Sequence, residues 1–150
     1  MSTETTFEIL NDADTVAARA AGRELAAELG FSRTDATLVA TAISELARNI
    51  VVHAGSGEIE LRSLDDHDEN GLVVVARDSG PGIPDVRLAL EDGWGSADGL
   101  GLGLPGARRL MDEFEIDSEP GKGTTVTMKK WRARDPVERL HSSREDGVWR

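Results

Sequence analysis

Glu45 and Asn49 stand four residues apart in a stretch whose apolar residues Val39, Ala42, Ile43, Leu46 and Ile50 recur with helical periodicity. That spacing puts both polar side chains on one helix face, with His53 another four residues along. The carbonyl oxygen of Asn is a neutral, hard ligand suited to Mg²⁺, which keeps waters and bridges phosphate oxygens. A Glu one turn away can accept the proton of an attacking hydroxyl. The same column also reads as an ordinary solvated helix face. A second candidate, Asp78-Ser79-Gly80-Pro81-Gly82, follows the apolar run Leu72 to Ala76. A strand-end Asp before glycines can simply form a turn by accepting backbone N–H groups. It can equally accept from an exocyclic amino group such as that of adenine, where a buried carboxylate without a donor is costly and so selects for it.

Two glycine-bearing segments complete the set. Gly99-Leu100-Gly101-Leu102-Gly103-Leu104 precedes Pro105. Alternating glycines let the backbone approach a ligand closely, and a following helix offers unpaired N–H groups to an anion. A flexible linker is the plainer reading. The segment lacks the Lys-Ser/Thr end of a P-loop and the strand-turn-helix setting of a dinucleotide fingerprint. Gly121-Lys122-Gly123-Thr124-Thr125 reads either as a hairpin turn or as a source of Thr hydroxyls that help a nearby carboxylate hold a base.

These candidates need a frame. Alternation at Phe7 and Ile9 predicts a short strand over Thr5 to Leu10. Asn11 or Asp12 caps a helix to about Leu29, stopped at Gly30. Ser32, with Asp35 three residues on, opens a second helix over about Arg33 to His53. Strands follow at Glu58 to Leu64 and Leu72 to Asp78, joined by an acidic turn ending in the hairpin-type dipeptide Asn70-Gly71. Residues 79–103 read as one long binding loop or lid. Pro105 suits the first turn of a further helix running to about Glu113. Phe114 to Ser118 and Thr124 to Trp131 close the set as strands. Helices in a group and sequentially neighbouring strands predict a two-layer α/β sandwich with a mixed, largely antiparallel sheet, over residues 1–134. Residues 135–150 read as a polar, flexible tail.

Composition excludes several classes. With 28 Asp+Glu against 17 Lys+Arg among 150 residues, the net charge is −11. Such a chain repels nucleic-acid phosphates and anionic membrane surfaces. No cysteine means no disulfide framework, thiolate nucleophile or Cys-based metal site. No apolar run approaches the ~20 residues of a membrane span, and the first residues lack signal-peptide character, so a cytoplasmic, soluble protein is expected.

Taken in order, these segments resemble the four boxes of the Bergerat-fold (GHKL) ATP-binding family, which includes gyrase, sensor histidine kinases and MutL. The N box is Glu45-Leu46-Ala47-Arg48-Asn49, and the glycine boxes are Asp78 to Gly82, Gly99 to Gly103, and Gly121 to Thr125. Within that family the chain is most similar to the RsbT-type switch kinases of bacterial partner-switching, or stressosome, pathways. Ser44 to Ile50, Gly80 to Asp85, Ala89 to Gly93, Gly99 to Ile116 and Lys129-Lys130-Trp131 carry this likeness. The resemblance implies the Bergerat sandwich with a glycine-rich ATP lid. It implies that Asp78 recognises the adenine amino group, Asn49 coordinates Mg²⁺ on the ATP phosphates, and Glu45 positions or deprotonates the attacking hydroxyl. Gly80 and Gly82 would shape the adenine pocket, Gly99, Gly101 and Gly103 would close the lid, and Thr125 would support adenine near Asp78. No role follows for Arg48 or His53.

The resemblance further implies Ser/Thr phosphorylation of STAS-domain proteins. Once released from them, the kinase binds and activates a PPM-type phosphatase regulator; a homodimer stays open. Leu88, Leu90 and Trp94 are expected either to dock partners or to pack on the lid's own base. Rival readings are an anti-sigma factor with kinase activity and a non-catalytic ATP-responsive module. A histidine-kinase catalytic domain is disfavoured because His53, His67 and His141 lie in no upstream phospho-accepting helix pair, and a gyrase-type ATPase because no transducer domain follows.

Overall fold

Alternation along the strands decides which side of the sheet is buried. The computed structural model describes residues 4–66, 69–83, 85–90 and 103–132. Strands β1 (Glu4–Ile9), β2 (Gly57–Asp66), β3 (Glu69–Asp78), β4 (Glu113–Glu119) and β5 (Gly123–Trp131) form one sheet in the order β1-β2-β3-β5-β4. The largely antiparallel sheet expected from sequence is present, and each of these pairings is antiparallel. Ile9, Ile59, Leu61, Leu72, Val74, Ala76, Val126 and Met128 form the inner face, and helices α1 (Asp12–Glu28), α2 (Arg33–Asn49) and α4 (Gly103–Leu110) cover it. The result is the expected two-layer α/β sandwich.

Capping follows the sequence. Asn11 Oδ1 accepts from the Asp14 N–H at 3.1 Å, and Ser32 Oγ accepts from the Asp35 N–H at 3.0 Å. These bonds satisfy amides that have no partner in the first helical turn. Helices α1 and α2 meet at Gly22, where a Cβ would collide with the Cδ1 of fully buried Ile43. Gly22→Val should therefore cost about 1–3 kcal/mol through overpacking, read as a lower urea midpoint; an unchanged midpoint would mean that the two helices separate freely.

The outer face is charged. Arg77 donates to Glu60 at 2.9 Å and to Glu58 at 3.3 Å, while Arg62 Nε pairs with Glu60 at 3.0 Å. The Arg77 hydrogen bond holds the buried Glu60 carboxyl below the usual carboxylate range, with burial opposing. A depressed carboxyl contributes stability above its unfolded pKa of about 4.3 and loses it as pH falls through the folded value. The stability difference between wild type and Arg77→Leu should accordingly be largest above the unfolded carboxyl pKa and close as pH falls through the lowered folded value. Urea titrations at several pH values measure it, and a pH-independent difference would refute the assignment.

Four boundaries depart from the sequence expectation. Asn70 and Gly71 lie within β3, paired with Asp65 and Leu64, so the dipeptide forms no turn. Gly71 instead admits the Trp131 ring, whose Cε3 would stand 2.8 Å from an added Cβ. The long loop contains a short helix, α3 (Val86–Ala89). Its flanks are anchored, since Ile83 and Ala89 are buried and Leu90 packs against the core, the packing alternative of the two open for Leu90. Helix α4 spans Gly103–Leu110, with Pro105 in its first turn as expected, and stops short of Glu113. Helix α2 is α-helical only to Asn49; Ile50–Ala54 continues as a single π-helical turn. Gly99, Gly101, Trp94 and residues 135–150 lie outside the described residues, as does the side chain of Leu88. Among the described residues no helix is long and apolar enough to cross a membrane.

Candidate functional site

The π turn sets the site's geometry. Its closing bond runs from the Gly55 N–H to the Ile50 carbonyl at 2.8 Å, and Gly55 ends it at φ 86°. The extra residue per turn brings His53 and Ala54 to the same cavity as Asn49. Such a turn inserted in a helix often marks a functional position. The β-branched run Ile50-Val51-Val52 is the sequence signal that α-helical geometry weakens here.

Asn49, His53, Ala54, Asp78, Pro81, Gly82, Ile83 and Thr124 line a cavity of about 130 Å³. An engineered cavity of about 150 Å³ holds benzene, so this space suits a flat ring, with the rest of any larger ligand outside it. Asp78 enters from the end of β3 and Thr124, its cross-strand partner, from the start of β5. Asp78 Oδ1 accepts the Gly80 N–H at 2.9 Å, so the turn-forming reading of this residue is realised. A carboxylate offers about four acceptor positions, so this bond leaves capacity for a donor in the cavity.

Thr125, expected to stand beside Asp78, pairs with Arg77 and lies on the opposite face of the sheet from the cavity, in an open groove with Arg77, Ser79 and Glu8 that Asp78 also borders. Strand alternation is the reason, since the residue on the Asp78 side of β5 is Thr124. Behind Thr124 stands Ser118, which carried no expected role. Its Oγ accepts the Ile83 N–H at 2.7 Å, donates to the Gly123 carbonyl at 3.2 Å and shares a 2.8 Å bond with Thr124 Oγ1. The Gly121 N–H adds a bond to the Pro81 carbonyl at 2.8 Å. The alternation of Phe114, Ile116 and Ser118 is the signal that could have placed Ser118 inward.

The glycines fit this interlock. Gly82 (φ 79°) and Gly123 (φ 102°) adopt backbone that side chains disfavour, and a Cβ on either would strike the carbonyls of Glu119 and Asp78 respectively. At Gly80 a Cβ would lie 2.6 Å from that of Ala54, so this glycine lets the π turn close on the Asp78 loop.

One helical turn before Asn49, Glu45 Oε2 accepts the N–H of Gly103 at 2.9 Å. Gly103 is the first residue of α4, whose N-terminal amides point out of the helix. Three of the sequence-predicted residues (Asn49, Asp78, Gly82) therefore share one cavity, Gly80 shapes its loop, and Glu45 with Gly103 stands one turn away along α2. Lys130, which the sequence reading left without a role, fixes the far end of α4. It projects from β5 into the core, 8% exposed, and its Nζ donates to the Leu110 carbonyl at 3.0 Å.

On the α2 side of the cavity, Asn49 offers a metal a neutral side-chain oxygen. Among the described residues no group of three His, Cys, Asp or Glu side chains could hold a metal ion. This donor set fits Mg²⁺ on a phosphate chain, because that ion keeps waters and takes few protein ligands.

Residues 10–130 match the family model described as histidine kinase-like ATPase domain. The chain is 48% identical over 131 residues to the serine/threonine-protein kinase RsbT of Bacillus subtilis, covering 87% of this chain and 98% of that protein. It is 30% identical over 122 residues to an anti-sigma F factor of Caldanaerobacter subterraneus, covering 79% and 85% respectively. In fold it resembles a crystal structure of the RsbU and RsbW domains of Rv1364c from Mycobacterium tuberculosis, with TM-score 0.62 and 24% identity. That match covers 90% of this chain and spans 33% of the larger one.

Proposed function

Because the chain belongs to the histidine kinase-like ATPase domain family, we propose that it is an ATP-dependent serine/threonine-protein kinase of a partner-switching pathway. The observation that carries this reading is the line along α2, from Asn49 in the ring-sized cavity to Glu45 at the first amide of α4. Adenine enters the cavity with its amino group toward Asp78, and Thr124 replaces Thr125 as the supporting hydroxyl. The phosphates extend along α2 toward the α4 amides. Mg²⁺, when bound, neutralises the phosphate oxygens and lowers the barrier to transfer. Asn49 supplies its protein ligand.

Chemistry then needs positioning more than covalent assistance. The Ser or Thr hydroxyl of a partner attacks the γ-phosphorus, the bond from that phosphorus to the β–γ bridging oxygen breaks, and ADP departs. Glu45 takes the hydroxyl proton. The backbone amides and the metal provide the positive potential that allows a chain of net charge −11 to bind ATP. STAS-domain proteins are the proposed substrates, in the cytoplasm. The phosphoryl group adds about −1.5 to −2 charge, enough to break a complex. Released from them, the chain binds and activates a PPM-type phosphatase regulator.

Transfer from Mg-ATP to candidate STAS proteins, read by intact mass with Asn49→Ala as control, tests this. A stoichiometric mass gain lost in the variant supports it. Tight binding of a sigma factor alongside transfer would favour the second reading, an anti-sigma factor with kinase activity, which the 30% identity to that class motivates. Nucleotide binding without transfer to any STAS protein would favour a non-catalytic ATP-responsive module.

A further inference from the structure

A hydrogen bond joining α2 to the start of α4 places the proposed base on the proposed phosphate anchor. Glu45 Oε2 accepts the Gly103 N–H at 2.9 Å across 58 residues of sequence. A carboxylate is a favourable partner for that amide, because the first helical N–H groups have no intrahelical acceptor and the helix dipole is positive there. A phosphate oxygen is favoured there for the same two reasons. Two anions therefore want one donor.

We propose that the Glu45–Gly103 bond is a resting latch that nucleotide phosphate displaces, so that loading ATP and freeing the base are one event. This rests on the ATP-binding reading given above. Without nucleotide, the carboxylate is turned toward α4 and its Oε2 is engaged. When a phosphate oxygen takes the Gly103 amide, Glu45 is released and the nearby negative charge turns it toward the incoming hydroxyl. The helix cannot yield instead. Leu104 and Ala107 are fully buried, and the buried Lys130 holds the Leu110 carbonyl at the other end. Glu45 is only partly buried and can change rotamer. The latch also keeps the base idle while no phosphoryl donor is present.

The test uses the full chain as wild type, Glu45→Ala and Glu45→Asp. It reads Gly103 amide hydrogen exchange without nucleotide and, separately, Mg-ATP affinity. Glu45→Asp keeps the negative charge near the phosphates but is one methylene too short for the bond. Exchange at Gly103 should be about tenfold faster in both variants than in wild type, and Mg-ATP should protect it in all three. Mg-ATP should bind several-fold tighter to both variants. Equal exchange in wild type and Glu45→Ala overturns the latch. So does Glu45→Asp binding Mg-ATP no tighter than wild type while Glu45→Ala does, since that pattern is simple charge repulsion. Wild type that binds no Mg-ATP sinks the ATP reading itself, and with it the exchange of anions, whatever Gly103 does.

Discussion

Asn49→Ala should lower phosphoryl transfer at least about 100-fold, roughly 2.7 kcal/mol of transition-state stabilisation, with little change in thermal midpoint. The side chain lines the cavity at the end of α2 and stands outside the apolar cluster, so truncating it opens no core. What it removes is the protein's single proposed ligand to Mg²⁺. The base-binding end, with Asp78 and Thr124, is untouched, so nucleotide should still bind, more weakly and with less dependence on the metal. Single-turnover transfer to a STAS partner at saturating ATP separates the two effects. Wild-type transfer by the variant would remove Asn49 from the metal site.

The parts of this site that the sequence disclosed are those fixed by local periodicity. The stripe from Val39 to Ile50 places Glu45 and Asn49 on one face because a regular α-helix allows nothing else, and α2 is regular as far as Asn49. Asp78 at a strand end followed directly from the apolar run before it. The misplacements occur where a tertiary contact chooses among local options. Asn70-Gly71 is a good turn dipeptide, but the β2–β3 register runs past it to Asp66 and Glu69, and Gly71 is needed under Trp131. Thr124 and Thr125 are chemically alike, and only the pairing of β5 with Asp78 decides between them. The π turn after Asn49 depends on Gly80 and Gly55 giving it room and a stop, residues 26 and 1 positions beyond its end. Lys130 was invisible as a positioning group because its partner is a carbonyl on α4, and a carbonyl carries no side-chain signature.

Asp78→Asn tests the other end of the site by a change of one heavy atom. Gly80 donates its N–H to Asp78 Oδ1 at 2.9 Å, and an Asn side chain can offer its own carbonyl oxygen to the same amide. The turn, the close approach of Gly80 to Ala54 and the Ser118 network should all survive, and the thermal midpoint should move little. The second position of the side chain changes from an acceptor to an NH₂ donor. It would then meet the amino group of adenine, donor against donor, and leave both unpaired in a space that excludes water. An unsatisfied buried polar group costs about 1–3 kcal/mol, so ATP affinity should fall about 10- to 100-fold. A base presenting a carbonyl at that position, as guanine does, should lose less or gain. The measurement is titration calorimetry with ATP and GTP on both proteins: a drop for ATP with a narrowed or reversed preference identifies Asp78 as the base selector. Equal loss for both nucleotides would mean that the substitution disturbs the loop, and no loss for ATP would mean that Asp78 serves the Gly80 turn alone.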